Sequence, residues 1–398
     1  MKKNESKSIF EKLVEINSNA EIWWDSSPLI YPLWKNELVN SLKDSNERQK
    51  IKERLLRLYN PDRPEDALFR GVTTNPPLSL SVLSYQKEYW RKFVKRVFRI
   101  SPYKKAGEIF WQMYKEVVRK GAEMFLPIFE DSGYRQGYIS AQVDPRDKDN
   151  FDFMLEQAEE LATLSPNIMI KVPGTEAGYQ LIKELTSRGI PTNNTLSFII
   201  PQFLAAANSV KEGLRIAKAN GVDLGQWRSV ITFMSARFTS LGDLEKEAEE
   251  KGIKLSEKDL RWAELAIMKK ACRLIKENGY PSKMLLCSMR ISPTIKGKKH
   301  CWHLEKLAGA DIVYTCPPKF IGELLLEGNH IEFRDQIDEP IPDGVMKKLM
   351  KIPYFAKGYD EKGYKPEDFT FHPAVQATAK EFRQAVQGMI DFIKESIS

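Results

Sequence analysis

The 398-residue sequence predicts an α/β fold: a single (β/α)8 TIM-type barrel with extra helices and a C-terminal extension. Eight short apolar segments have the length of strands, and most are separated by amphipathic stretches of helix length, the alternation of a parallel sheet. Eight is also the number that closes a barrel. Nearly every segment carries a polar residue near its C-terminal end, where barrels of this kind place their chemistry. The next-best architecture is an open doubly wound sheet, which often has a glycine-rich phosphate loop, and neither GxGxxG nor GxxxxGK[ST] occurs. We expect one domain over residues 1–398, with its core at about 21–325 and a C-terminal excursion and helix over 326–398.

Each element has a local reason. Residues 8–20 read as helix, and Glu21-Ile22-Trp23-Trp24-Asp25 as a strand ending in an acid. Pro28 opens a helix through Trp34 and Leu38, four residues apart on one face. Charge dominates residues 41–61, which suggests an added surface helix or two. The second strand, residues 68–75, closes at Pro76-Pro77, and residues 79–126 read as helical. Strand three covers 138–144 and is followed by a helix through Phe153 and Leu161. Strand four covers 168–172, and Pro173-Gly174 ends it. Thr175 then caps a helix that stops at Gly189. Strands five and six, at 192–197 and 229–234, flank a helix from Pro201 to about Ala219. Ser256 with Asp259 opens a long helix ending at Gly279. Strands seven and eight fall at 283–290 and 311–317. Residues 327–373, rich in Pro, Gly and aromatics, read as an excursion in a position to cover the barrel mouth. Phe382, Val386, Met389 and Ile393 form the apolar stripe of a last helix, expected to pack on its own barrel.

Composition narrows the function. The 61 basic and 54 acidic residues leave a net charge of +7, mild for this length, favouring anionic small molecules over a nucleic-acid role. The basic-aromatic stretch from Trp90 to Arg99 is explained by a helix that packs its rings inward and solvates its bases. No apolar run approaches a membrane span, and Met1 to Lys7 lead into no signal-like segment, so a cytoplasmic protein is expected. Four cysteines suit reduced thiols. Lys298 to His303 crowd two imidazoles and a thiol, but no second cluster at structural-zinc spacing accompanies them, and a basic helical surface explains them more simply.

Lys171 is the sharpest single feature. It lies in the apolar strand Ile168 to Val172, where burial disfavours an ammonium, lowers its pKa and leaves an amine able to attack a carbonyl and form an imine. A strand-end lysine whose head snorkels to water is the plainer alternative. In a closed barrel, Asp25, Asn75, Gln142, Lys171, Asn193, Thr195, Arg237 and Arg290 converge on one mouth. A lysine, an acid, amides and two arginines on one rim combine an imine centre with an anion clamp.

These residues resemble a known family. Gly71-Val72-Thr73-Thr74-Asn75-Pro76, Ile170-Lys171-Val172-Pro173-Gly174-Thr175, Asn193-Asn194-Thr195-Leu196-Ser197-Phe198 and Ala308-Gly309-Ala310-Asp311 look like the signatures of the transaldolase family, in the same order over about residues 21–325. The resemblance implies a metal-free class I aldolase-type barrel, without cofactor, whose Schiff-base lysine lies on the fourth strand. It implies that Lys171 forms the imine with a phosphorylated ketose donor and that Asp25 is the general acid and base. It further implies that Asn75 and Asn193 hold donor hydroxyls or the carbinolamine, that Thr195 positions a water, and that Arg237, Ser288 and Arg290 bind the sugar phosphate. A dihydroxyacetone unit would pass to an aldose acceptor, in a monomer or a homodimer.

The departures from the pattern are specific. Gln142 stands where typical transaldolases have a glutamate and where the fructose-6-phosphate aldolases of the superfamily have glutamine; it can hold a water but cannot exchange a proton as a carboxylate does. Met234 replaces the Phe of one branch and the Tyr of the other, and Thr232 replaces a nearby serine. A free class I aldolase that releases dihydroxyacetone, or a sugar-phosphate binder without turnover, therefore stand as alternatives, although retention of Lys171 and Asp25 speaks against loss of chemistry.

Overall fold

The computed structural model describes residues 7–398; the reading of Met1 to Ser6 lies outside them. Eight strands form the closed barrel: β1 Glu21–Asp25, β2 Phe69–Thr73, β3 Tyr138–Gln142, β4 Ile168–Pro173, β5 Thr192–Thr195, β6 Ser229–Met234, β7 Lys283–Cys287 and β8 Ile312–Cys316. Each runs parallel to its sequence neighbours, and β8 closes on β1. All eight strand-length segments of the sequence are therefore strands of one barrel.

Side chains alternate between the barrel interior and the surrounding helices. On β1, Trp24 faces out and packs against Tyr31, Trp34 and Phe69, with ring centroids 5.1 to 5.7 Å apart. Trp23 faces in and lies against Gly71 of β2, where a Cβ would come within 2.5 Å of the indole. The register between these strands shifts between Ile22 and Trp24, so an irregularity in pairing and a glycine together accommodate the large ring. Below it Glu21 accepts hydrogen bonds from the Trp23 indole (2.9 Å), from Arg228 (2.6 Å) and from Lys283 (2.8 Å). Burial alone would raise the Glu21 carboxyl, but the two cations reverse it and hold it below 4.5.

The helical reading of 79–126 holds, and the segment divides into three helices, Pro76–Tyr85, Lys87–Ile100 and Ala106–Asp131. The first begins at Pro76, because proline suits the first turn and the Asn75 side chain caps Leu78 N–H at 3.0 Å. In the basic-aromatic helix Trp90 and Val94 are fully buried, so its aromatic face is core. Short helices Ser235–Ser240 and Leu244–Glu250, which carry no long apolar period, follow β6.

The end of the C-terminal excursion packs beside the mouth without lining its cavity: Phe369 meets Tyr179 at 5.8 Å and His372 stacks on Phe198 at 5.9 Å, just beyond β4 and β5. Helices Asp343–Leu349 and Pro353–Tyr359 pack on the outer helices that follow β5 and β6, with Tyr354 stacked on Phe238 at 4.9 Å and donating to its carbonyl at 2.9 Å. The cavity at the mouth is bordered by the last helix, Pro373–Ile397, through Glu381. Its stripe Phe382, Val386, Met389 and Ile393 is buried against the three helices that follow β2, on its own barrel. Among the described residues no helix is long and apolar enough to cross a membrane, and all four cysteines are unbridged.

Candidate active site

A cavity of about 350 Å³ opens at the C-terminal ends of the strands. Asp25, Thr73, Asn75, Lys171, Thr232, Met234, Arg237, Ser288 and Arg290 border it. Gln142, Asn193 and Thr195 do not; Lys171 pairs in register with Gln142 on one side and Asn193 on the other, and Thr195 pairs with Pro173, two residues beyond Lys171.

Lys171 is 4% exposed, and its Nζ donates to the Thr74 carbonyl at 2.8 Å. Burial lowers its pKa below 10.5; the Asp25 charge opposes that shift and Arg237 reinforces it. Asp25 accepts from Thr73 Oγ1 at 2.7 Å, and Thr73 Oγ1 also meets Thr315 Oγ1 at 2.5 Å. Burial raises the Asp25 carboxyl above 3.8, against the pull of Lys171, Thr73 and Arg237. The two groups are thus displaced toward each other, an amine that loses its proton more readily and an acid that keeps one more readily. Cys287 also borders the cavity, but burial pushes its thiol up to about 12, so it stays protonated and is a poor nucleophile.

Around the lysine, the amide of Asn193 is held between two strands. It donates to Ser140 Oγ at 2.8 Å on β3 and accepts from Thr232 Oγ1 at 2.7 Å on β6. This fixes which way the amide points and leaves one of its hydrogens free of these bonds. Gln142 Oε1 and Thr195 Oγ1 are buried without a protein partner. These two unpaired atoms, on the strands either side of the one that carries Lys171, have the capacity to hold a small polar molecule. Met234 presents a thioether to the cavity, so no proton donor stands at that position.

The outer rim is cationic. Arg237, on the short helix after β6, is tied through Nη1 to Glu381 of the last helix. Arg290 is exposed, and the turn that carries it leaves β7 through Ser288 at φ 60°, a left-handed conformation that costs a non-glycine residue about 1 kcal/mol. A buried network joins the two arms. Glu264 accepts from Thr239, two residues beyond Arg237, from Arg261 Nη2 at 2.7 Å, and from His303 Nε2 at 2.7 Å. His303 Nδ1 accepts from the Arg290 backbone N–H at 3.0 Å, which makes Nε2 the hydrogen-bearing nitrogen.

The reading of Lys298 to His303 as basic helical surface is corrected accordingly. His303 is 1% exposed, and only Lys298 and Lys299 lie on an exposed two-residue strand. Among the described residues no group of three or more His, Cys, Asp or Glu is arranged to hold a metal ion. Sequence reasoning missed Thr73, Ser140, Glu264 and Glu381. The first two are small hydroxyls in strands and the last two are ordinary helix acids, so nothing local distinguished them.

A closed parallel barrel with a lysine, an acid and a cationic rim at its C-terminal mouth defines the class: barrel proteins built on the aldolase plan. The chain belongs to the transaldolase/fructose-6-phosphate aldolase family, whose profile matches residues 42–384. It is similar to Transaldolase 1 of Streptomyces avermitilis, 32% identical over 172 residues, or 43% of this chain and 45% of that one. Transaldolase 2 of Streptomyces coelicolor is 32% identical over 169 residues, 42% and 45% of the two chains. The transaldolase of Saccharopolyspora erythraea is 26% identical over 280 residues, 67% of this chain and 74% of that one. The chain thus spans less than half the length of the Streptomyces relatives it matches.

Proposed function

We propose that the protein is a transaldolase-type transferase, moving a dihydroxyacetone unit from a phosphorylated ketose to an aldose acceptor through an imine on Lys171. The observation that carries the reading is the pairing, in one cavity, of a buried lysine whose amine is made easier to deprotonate with a carboxyl made easier to protonate. The neutral Lys171 amine adds to the ketose carbonyl, and loss of water from the carbinolamine leaves a protonated imine. Asp25 takes the proton of the hydroxyl on the far carbon of the bond to be broken, so that this carbon becomes the aldehyde of the departing aldose. That carbon–carbon bond then cleaves, its electron pair passes to the imine nitrogen as an enamine, and an aldose departs. The enamine carbon attacks an acceptor aldehyde, Asp25 returns the proton, and water releases the new ketose.

The roles proposed for the supporting shell rest on the following contacts. In this reading Asn75, whose side-chain NH2 is left open at the cavity, meets donor hydroxyls, and Asn193, braced by Ser140 and Thr232 beside Lys171, serves the carbinolamine. Gln142 and Thr195 offer Oε1 and Oγ1 to the water lost and regained at the carbinolamine. Arg237, Ser288 and Arg290, which border the cavity, would hold the phosphate, and residues 1–398 would act as one catalytic domain in the cytoplasm, a reading supported by four unbridged thiols.

One observation favours a second reading, a free aldolase that releases dihydroxyacetone: Gln142 cannot carry a proton at the carbinolamine. Product analysis with fructose 6-phosphate, with and without erythrose 4-phosphate, separates the two. Turnover that depends on the acceptor supports transfer; dihydroxyacetone released without one supports the aldolase; neither product sinks both.

A further inference from the structure

The two arginines of the rim are not equivalent. Arg237 donates through Nη1 to Glu381, with Thr378 Oγ1 at 3.5 Å, and its guanidinium carbon lies 5.8 Å from the centre of the Phe382 ring. All three partners stand on helix Pro373–Ile397, outside the barrel strands. Glu381 borders the same cavity as Lys171. Among the described residues no carboxylate lies within ion-pair distance of Arg290. One arm of the anion clamp is therefore open, and the other already holds an anion that the chain supplies.

We propose that Glu381 is a specificity-determining residue: it occupies the anion seat at Arg237 and yields it to a phosphate, a role that rests on the sugar-phosphate reading of the site. The pair is partly solvated, with Arg237 24% and Glu381 43% exposed, so it is weak and exchangeable. A phosphate dianion brings more charge and more acceptor oxygens than one carboxylate and can bind the planar guanidinium through two of them. Seating it requires Glu381 to turn away, for otherwise two anions share one cation. An uncharged sugar leaves the pair intact and meets the carboxylate as a hydrogen-bond acceptor. Glu381 thereby narrows the preference for phosphorylated over unphosphorylated ligands, and it does so by a turn of its own partly exposed side chain, from a helix whose stripe stays packed.

The test is calorimetric titration of the full chain with inorganic phosphate, which needs no turnover. Glu381→Gln and Glu381→Ala are compared with the parent, each checked for native circular dichroism, with Arg237→Gln alone and combined with Glu381→Gln. Removing the internal anion is expected to tighten phosphate binding about five- to tenfold, the scale of one partly exposed ion pair plus relief of repulsion. Arg237→Gln should erase that gain. If both Glu381 variants bind phosphate no better than the parent while Arg237→Gln weakens it, Glu381 only positions Arg237 and the inference is overturned. If phosphate binding is absent throughout, or indifferent to Arg237, the phosphate seat itself is wrong and the inference falls with it.

Discussion

Lys171 sits under two opposed electrostatic demands: burial removes its proton and Asp25 holds the proton on. Because burial is the larger, the rate of imine trapping at this residue should rise with pH to a half-point below 10.5, the ordinary lysine value. Asp25→Asn deletes the opposing charge, so its half-point should move to still lower pH; borohydride trapping across a pH series measures both, and an upward move would contradict the assignment. Lys171 was legible in the sequence because an ammonium inside an apolar, β-branched run is conspicuous. Thr73 and Ser140 were not, although one holds Asp25 and the other braces Asn193, since hydroxyls are common in strands and only closure brings their partners within reach. Arg237 was legible as a rim cation, but its engagement by Glu381 depends on a helix 144 residues away in sequence.

At the scale of elements, strands were easier to read than the helices between them. Short apolar runs ending in Pro, Gly or polar residues mark a strand locally, whereas the division of 76–131 into three helices turns on single residues such as Gln86, at φ −126° and ψ 41°. The contact between β1 and β2 is equally specific. Gly71→Ala would drive a methyl into the Trp23 ring and should destabilise the fold by about 1–3 kcal/mol in urea titrations. The Glu264 network links the helix carrying Arg237 to the turn carrying Arg290. Glu264→Gln should weaken phosphate binding while leaving the pH half-point of Lys171 trapping in place, because the network touches the clamp and not the lysine. A shifted half-point with unchanged phosphate affinity would show that the network serves something else.

For the whole molecule, closure concentrates polar groups at both ends of the barrel. At the floor, Glu21 is held below 4.5 by Arg228 and Lys283, so its stabilisation is complete above 4.5 and is lost as pH falls below that value through the lowered folded one. Glu21→Gln should therefore cost about 3 kcal/mol at neutral pH, and the gap to the parent should shrink in acid, as chemical denaturation at several pH values would register. At the mouth, the alternation of eight strands with helices was enough to foresee that Asp25, Asn75, Lys171, Arg237 and Arg290 converge, but not that Gln142, Asn193 and Thr195 stay off the cavity wall, nor that the last helix reaches the rim, because an apolar stripe says that a helix packs but not where. The central claim is that this convergence makes Lys171 an imine-forming nucleophile. The most direct measurement is incubation with fructose 6-phosphate and borohydride followed by peptide mass spectrometry, with Lys171→Met as the control. A three-carbon adduct on the peptide containing Lys171, absent from the variant, is the expected result; no adduct with any phosphorylated ketose, or one on a different lysine, would contradict it.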